Sequence, residues 1–134
     1  MAQNKLQVMM LEDDSDDRYL TSEVVNDLNI DLQIAFYSNS TNLFTALKQA
    51  RPNLILVDYN STPENGSEVL RKLKADHDLR SIPVVILSDS RLSKYKTECY
   101  REGASAFVIK PTSLEETKKK IKAFFTYWSA VAES

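Results

Sequence analysis

The sequence predicts an α/β domain: a doubly wound, five-stranded parallel sheet with helices on both faces. Three observations carry that prediction. The chain has 134 residues, the size of one domain. Five short apolar runs alternate with five segments whose apolar residues recur at helical spacing. The runs are nearly continuous rather than alternating, as in strands covered on both faces. Such alternation is the pattern of βα units wound into a parallel sheet, and right-handed crossovers leave few topologies open.

The elements follow in order. Val8–Leu11 is the first strand, and Leu20, Val24 and Leu28 behind it fall on one helix face. Leu32–Phe36 is the second strand; Leu43, Leu47 and Ala50 make the next stripe, which Pro52 ends. Leu54–Val57 is the third, followed by Val69, Leu70 and Leu73. Pro83 precedes the fourth strand, Val84–Leu87, where its missing N–H costs least. Leu92, Tyr95 and Cys99 form the fourth stripe, and Gly103 follows as a left-handed cap would. Ala106–Ile109 is the fifth strand. Ser113 with Glu116 three residues on is a capping-box pattern. It opens a last helix whose broad apolar face carries Leu114, Ile121, Phe124, Phe125, Trp128 and Ala132. Without linker or repeat, residues 1–134 are expected to form one domain with no output domain.

Composition removes several function classes. The net charge is −2, so no basic excess builds a nucleic-acid footprint. Two glycines, Gly66 and Gly103, cannot make a glycine-rich phosphate loop. A single cysteine, Cys99, and a single histidine, His77, exclude an internal disulfide, a multi-cysteine zinc site and a His–His metal pair. No apolar run reaches about 18 residues, and Met1 to Lys5 carry no signal-peptide stretch. The expected location is the cytoplasm, with no membrane and no nucleic acid as partner.

In a sheet of this kind ligands bind beyond the carboxyl ends of the strands. Strand one ends in Glu12-Asp13-Asp14, strand three in Asp58, strand four in Ser88 and strand five in Lys110-Pro111. Clustered carboxylates raise one another's pKa unless a cation sits among them. Oxygen ligands in small number suit Mg²⁺. Lys110 can hold a phosphoryl oxygen as a point charge, and Ser88 can donate to another. Together these make a site where a carboxylate attacks a phosphoryl group while its charge is neutralised from several sides.

This constellation resembles the response-regulator receiver domain, the CheY-like family. The stretches that carry it are Leu11–Asp14, Leu56–Asn60, Asn65-Gly66, Ile86–Ser88, Gly103-Ala104 and Phe107–Pro111. The resemblance implies a flavodoxin-like (βα)5 fold with strand order 2-1-3-4-5. It implies Asp58 as phosphoacceptor and a Mg²⁺ held by Asp13 directly, by Glu12 through water, by Asp58, and by the backbone carbonyl of Asn60. It implies Ser88 and Lys110 as phosphoryl-stabilising groups, Ser88 and Phe107 as the switch pair, and a cis Lys110–Pro111 bond. The protein would be a single-domain response regulator of a two-component phosphorelay. It would take a phosphoryl group from a sensor histidine kinase or phosphotransfer protein and pass the signal to a downstream protein partner. It would catalyse only its own phosphorylation and dephosphorylation. A homodimer through the face of the fourth and fifth helices also follows from the resemblance.

Two positions depart from the pattern. Thr62 stands where the family usually has proline, with Pro63 next. Asp89 stands where a small residue is usual and would modulate the rim of the site. Other readings are blander. Asp16 and Asp17 suit a solvated helix N-terminus, His77 a polar loop, Cys99 a helix-face filler. Phe107 could be plain core. At the C-terminal end Tyr127, Trp128 and Val131 reach past the sheet; either Trp128 caps the core, or the three form an interface. The Tyr-Trp pair also looks like stand-alone receivers that partner phytochrome-like histidine kinases. Two rival functions remain: a haloacid-dehalogenase-type phosphatase, which needs a second Asp where Asn60 stands, and a pseudo-receiver that binds partners without phosphorylation.

Overall fold

A change of period from continuous apolar run to helical stripe occurs five times along the chain, and each change is an element boundary in the computed structural model, which describes residues 6–131, the last by its backbone alone. The order is β1 (Leu6–Leu11), α1 (Ser15–Asp27), β2 (Leu32–Tyr37), α2 (Ser40–Leu47), β3 (Leu54–Asp58), α3 (Gly66–Ala75), β4 (Val84–Ser88), α4 (Ser93–Arg101), β5 (Ala106–Ile109) and α5 (Leu114–Val131). All pairings are parallel and the sheet order is β2-β1-β3-β4-β5.

The strand period of two splits the apolar side chains between two cores. Met9, Leu11, Ile55, Val57, Val84 and Ile86 face α2, α3 and α4, where Leu43, Leu70 and Cys99 meet them. Val8, Met10, Leu54, Leu56 and Val85 face α1 and α5, where Val25 and Phe125 close the layer. Phe125 is 2% exposed, and its burial is worth roughly 1.5–3 kcal/mol. The central strand β3 is buried throughout, as a continuous run predicts. The edge strands β2 and β5 are only partly covered, because each has a neighbour on one side alone.

Caps and turns follow the local chemistry. Asn65 and Glu68 form a reciprocal capping box at the start of α3. Ser113 Oγ accepts from the Glu116 N–H at 3.1 Å, as its spacing predicts. Gly103 adopts a φ of 107°, the left-handed conformation that stops α4. Gly66 packs on the Tyr59 backbone so closely that a Cβ would stand 2.8 Å from its Cα.

Several stripe residues fall elsewhere. Leu92 is the N-cap of α4, not part of it, and is exposed. Leu114, in the first turn of α5, is exposed because the core face of that helix begins only at Ile121. Helix α2 ends at Leu47, before Ala50 and Pro52. Ala132 and the Val131 side chain lie outside the described residues. The expected cis bond at Lys110–Pro111 is not observed; among the described residues the cis bond is Thr62–Pro63.

Candidate functional site

Parallel strands end together, and so the polar residues that follow each apolar run meet at one edge. Glu12 follows β1 and is 1% exposed; Asp58 closes β3 at 5%; Ser88 closes β4 at 1%. Asp13 is exposed beside them. Carboxylate oxygens of Glu12, Asp13 and Asp58 lie within 4.8 Å of one another. This donor set is all oxygen, the chemistry that fits a hard divalent cation.

Lys110, just past β5, supplies the opposing charge. Its Nζ donates to Glu12 Oε1 at 3.0 Å and to Asp17 Oδ2 at 3.4 Å, and stands 3.6 Å from Asp58 Oδ2. The backbone holds it there, since its N–H donates to the Ser88 carbonyl at 2.8 Å. One ammonium among these carboxylates leaves the pocket short of positive charge. Burial, then repulsion from Asp58, pushes the Glu12 carboxyl up to about 7, although Lys110 pulls the other way. Burial alone would lower the Lys110 pKa, but Asp58 and Glu12 together raise it.

The rest of the shell is hydrogen-bonded. Glu12 Oε2 accepts from the Asp14 N–H at 3.3 Å, and the Glu12 carbonyl accepts from Arg18 Nη1 at 2.8 Å. Asp14 caps α1 by accepting from the N–H groups of Asp16 and Asp17. Asp58 Oδ1 accepts from the Asn60 N–H at 3.2 Å. Ser88 Oγ accepts from the Ser90 N–H at 3.0 Å, which keeps the hydroxyl at the strand end.

The structure thus brings Glu12, Asp13, Asp58, Asn60, Ser88 and Lys110 to one edge. Asp89 is exposed at the mouth of the adjoining cavity, which Glu12 and Lys110 also line. Phe107 is half-buried against the α2–α3–α4 core, and its N–H donates to the Tyr100 hydroxyl oxygen at 3.1 Å. Tyr127 is 65% exposed, whereas Trp128 is half-buried and stacks on Phe124 at 5.8 Å between centroids. Trp128 thus packs against the α1–α5 core, while Tyr127 stands at the surface.

Two site neighbours were not anticipated. Asp17, read as a solvated helix-start residue, pairs with Lys110. Its signal was present: it lies three residues after the cap Asp14, in a first turn that begins at the strand end. Tyr59, next to Asp58, is buried; its hydroxyl donates to Glu98 Oε1 at 2.9 Å and its ring tilts against Tyr95 at 5.0 Å. No periodicity marks that contact, because it joins β3 to α4 across the fold.

Comparison with known proteins agrees with this geometry. The model of the response regulator receiver domain family matches residues 8–122. The chain is 28% identical over 128 residues to response regulator Rcp1 of Synechocystis sp., covering 90% of this chain and 87% of that protein. It is 32% identical over 96 residues to two-component response regulator ARR5 of Arabidopsis thaliana, covering 72% of this chain and 52% of that protein. The match therefore spans only about half the length of that plant relative. Among solved structures, the Mn(2+)-bound form of Rcp1 superposes with a TM-score of 0.90 at 27% identity, over 96% of this chain and 97% of that one. The phosphorylated cyanobacterial phytochrome response regulator RcpA gives 0.89 at 25% identity, over 96% of each chain.

Proposed function

We propose, from the premise that this chain belongs to the response regulator receiver domain family, that Asp58 is its phosphoacceptor and that the residues around it perform the transfer. As a response regulator of a two-component system it is a signalling protein. Receivers of this family work with histidine kinases or phosphotransfer proteins. The observation that carries the reading is the reach of Lys110 Nζ toward Glu12, Asp17 and Asp58 at once.

A carboxylate oxygen of Asp58 forms the new P–O bond as the P–N bond of a phosphohistidine breaks; the imidazole leaves with the electron pair. Lys110 faces one phosphoryl oxygen, and Ser88 donates its O–H to another, since a hydroxyl that accepts from the Ser90 N–H can still donate its own hydrogen. Charge developing on the phosphoryl oxygens is met by groups already in place, which is where most of the rate in such transfers arises. A divalent cation, which we take to be Mg²⁺, would be held by Glu12, Asp13, Asp58 and the Asn60 carbonyl and would neutralise phosphoryl charge. Asn60 lacks the acid that a phosphatase of the haloacid-dehalogenase type needs to protonate a leaving group. Downstream, a Ser88 drawn toward the phosphoryl group would free space for Phe107 and reshape the surface of α4 and β5. That surface would meet the downstream protein partner, or a second copy of the chain through α4 and α5.

Relatedness to Rcp1 and to the phytochrome response regulator RcpA supports a phytochrome-like kinase as donor. The test is incubation with Mg²⁺ and acetyl phosphate followed by intact mass and peptide mapping. One phosphoryl group on Asp58 is the expected result; sustained release of phosphate without a labelled protein would overturn the reading.

A further inference from the structure

Lys110 is gripped from two sides before any phosphoryl group arrives. Its Nζ donates to Glu12 Oε1 at 3.0 Å and to Asp17 Oδ2 at 3.4 Å, and it stands 3.6 Å from Asp58 Oδ2, beyond hydrogen-bond reach. Asp17 is presented by an anchored turn at the start of α1. Its N–H donates to Asp14 Oδ1 at 3.1 Å, and its carbonyl accepts from the hydroxyl of buried Thr21 at 2.9 Å. Arg18, the next residue, donates from Nη1 to the Glu12 carbonyl at 2.8 Å and fastens the same turn to the end of β1. Asp17 lies outside the oxygen cluster of Glu12, Asp13 and Asp58. Its carboxylate pairs with Lys110 and, among the described residues, with no other cation.

The three carboxylates differ in what it costs to part them from Lys110. Glu12 is 1% exposed, so without Lys110 its carboxylate would stand as a buried charge with no partner. Asp58 is itself the group that receives the phosphoryl. The Asp17 side chain is 41% exposed, its bond to Nζ is longer than that of Glu12, and water can take the place of Lys110. A phosphoryl group on Asp58 brings oxygens that compete for the ammonium, which has three hydrogens to donate. The partner that yields at the smallest cost is Asp17.

We propose that Asp17 is a positioning residue: it tethers Lys110 toward α1, and transfer to Asp58 requires that tether to loosen. The proposal deepens the phosphoacceptor reading and rests on it. Asp17 touches neither donor nor acceptor and acts through the lysine. Two effects have the same sign. A carboxylate beside Nζ offsets part of the positive charge that incoming phosphoryl oxygens meet, and the tether holds that charge away from Asp58. Removing the carboxylate therefore speeds transfer, the opposite of the result for a group that assists the reaction directly.

The test times labelling of Asp58 in the full chain by acetyl phosphate with Mg²⁺. In that reaction the new P–O bond to Asp58 forms as the old P–O bond breaks and acetate leaves with its electron pair. Asp17→Asn, nearly isosteric, should label about two- to fivefold faster than the parent, the contribution of a partly exposed ion pair. Asp17→Glu keeps the charge on a longer side chain and should return the rate toward the parent's. Asp16→Asn removes the same charge one residue earlier, from an exposed side chain outside these pairs, and should leave the rate unchanged. A second readout needs no donor: the Lys110 Nζ signal in lysine side-chain NMR should move in Asp17→Asn and stay in place in Asp16→Asn. Four results would each overturn the proposal: equal or slower labelling of Asp17→Asn, equal acceleration by Asp16→Asn, acceleration by Asp17→Glu as large as by Asp17→Asn, or an unmoved Lys110 signal. A parent that labels on Asp58 while Asp17→Asn gains nothing defeats the tether alone. A parent that never labels on Asp58 defeats the phosphoacceptor reading, and the tether with it.

Discussion

Tyr59 donates its hydroxyl hydrogen to Glu98 across 2.9 Å, which ties the residue after Asp58 to α4. Burial, reinforced by Glu98, raises the Tyr59 pKa, so the phenol stays a donor through the neutral range. Tyr59→Phe keeps the ring against Tyr95 and removes only this bond. Because Glu98 is half-exposed and can turn to water, the loss should be about 0.5–1.5 kcal/mol by urea unfolding, toward the low end. An unchanged midpoint would show that the bond carries no stability.

Asp58→Asn should abolish labelling by acetyl phosphate while the circular dichroism spectrum stays that of the parent. The change is nearly isosteric and relieves repulsion with Glu12. It also removes the Asp58–Lys110 ion pair, so the two effects oppose and the metal-free stability should stay within about 1 kcal/mol of the parent's. A labelled Asp58→Asn protein would mean that the acceptor is another residue.

The buried Glu12 carboxyl makes metal-free stability depend on pH. Its folded pKa, about 7, lies above its ordinary value of 4.5, so the folded state holds the extra proton between those limits. Stability is then fully present below pH 4.5 and is lost as pH rises through 7. In chelator, Glu12→Gln should flatten that decline and add on the order of 1–3 kcal/mol at pH 8 relative to pH 5. Parallel pH profiles for variant and parent would contradict the assignment.

A divalent cation should stabilise the protein. At 100 times its dissociation constant the gain is about 2.7 kcal/mol, several degrees in Tm. Asp13→Ala should remove that gain because Asp13 belongs to the oxygen cluster. Asp16→Ala should keep it, since Asp16 is exposed and outside the cluster. Calorimetry with and without Mg²⁺ decides between them; identical shifts in both variants would move the metal elsewhere.

Asp89 adds a carboxylate at the rim, exposed and pairing with no cation among the described residues. An anionic donor approaching to ~6 Å in water meets about 0.7 kcal/mol of repulsion from it. Asp89→Ala and Asp89→Asn should both speed labelling by acetyl phosphate about threefold at low salt, with the gain fading as salt is raised. Acceleration by Ala alone would mean that bulk, not charge, sets the rate.

Strand ends were the most legible part of the molecule. Glu12, Asp58, Ser88 and Lys110 each follow an apolar run, and parallel strands bring run ends to one edge without further information. Helix starts were less legible. Leu92 and Leu114 share the spacing of the buried stripes, but each stands at or before the first turn, where the chain is still leaving the sheet edge. The partnership of Asp17 with Lys110 depends on how α1 packs beside the end of β5, 93 positions away, and no local pattern encodes that distance. The same holds for Tyr59 and Glu98, 39 positions apart.

The Tyr100 hydroxyl that meets the Phe107 N–H also changes what the outer side of the sheet can do. An outermost strand with a bare row of donors and acceptors is a template on which another extended segment can be laid, the first step of ribbon growth and fibril formation. Strand β5 is short and one of its donors is already satisfied by a side chain from α4. Any extended peptide that tried to lengthen the sheet here would first have to evict a phenol. One outward donor of this border is thus occupied, which raises the cost of laying a further strand on it.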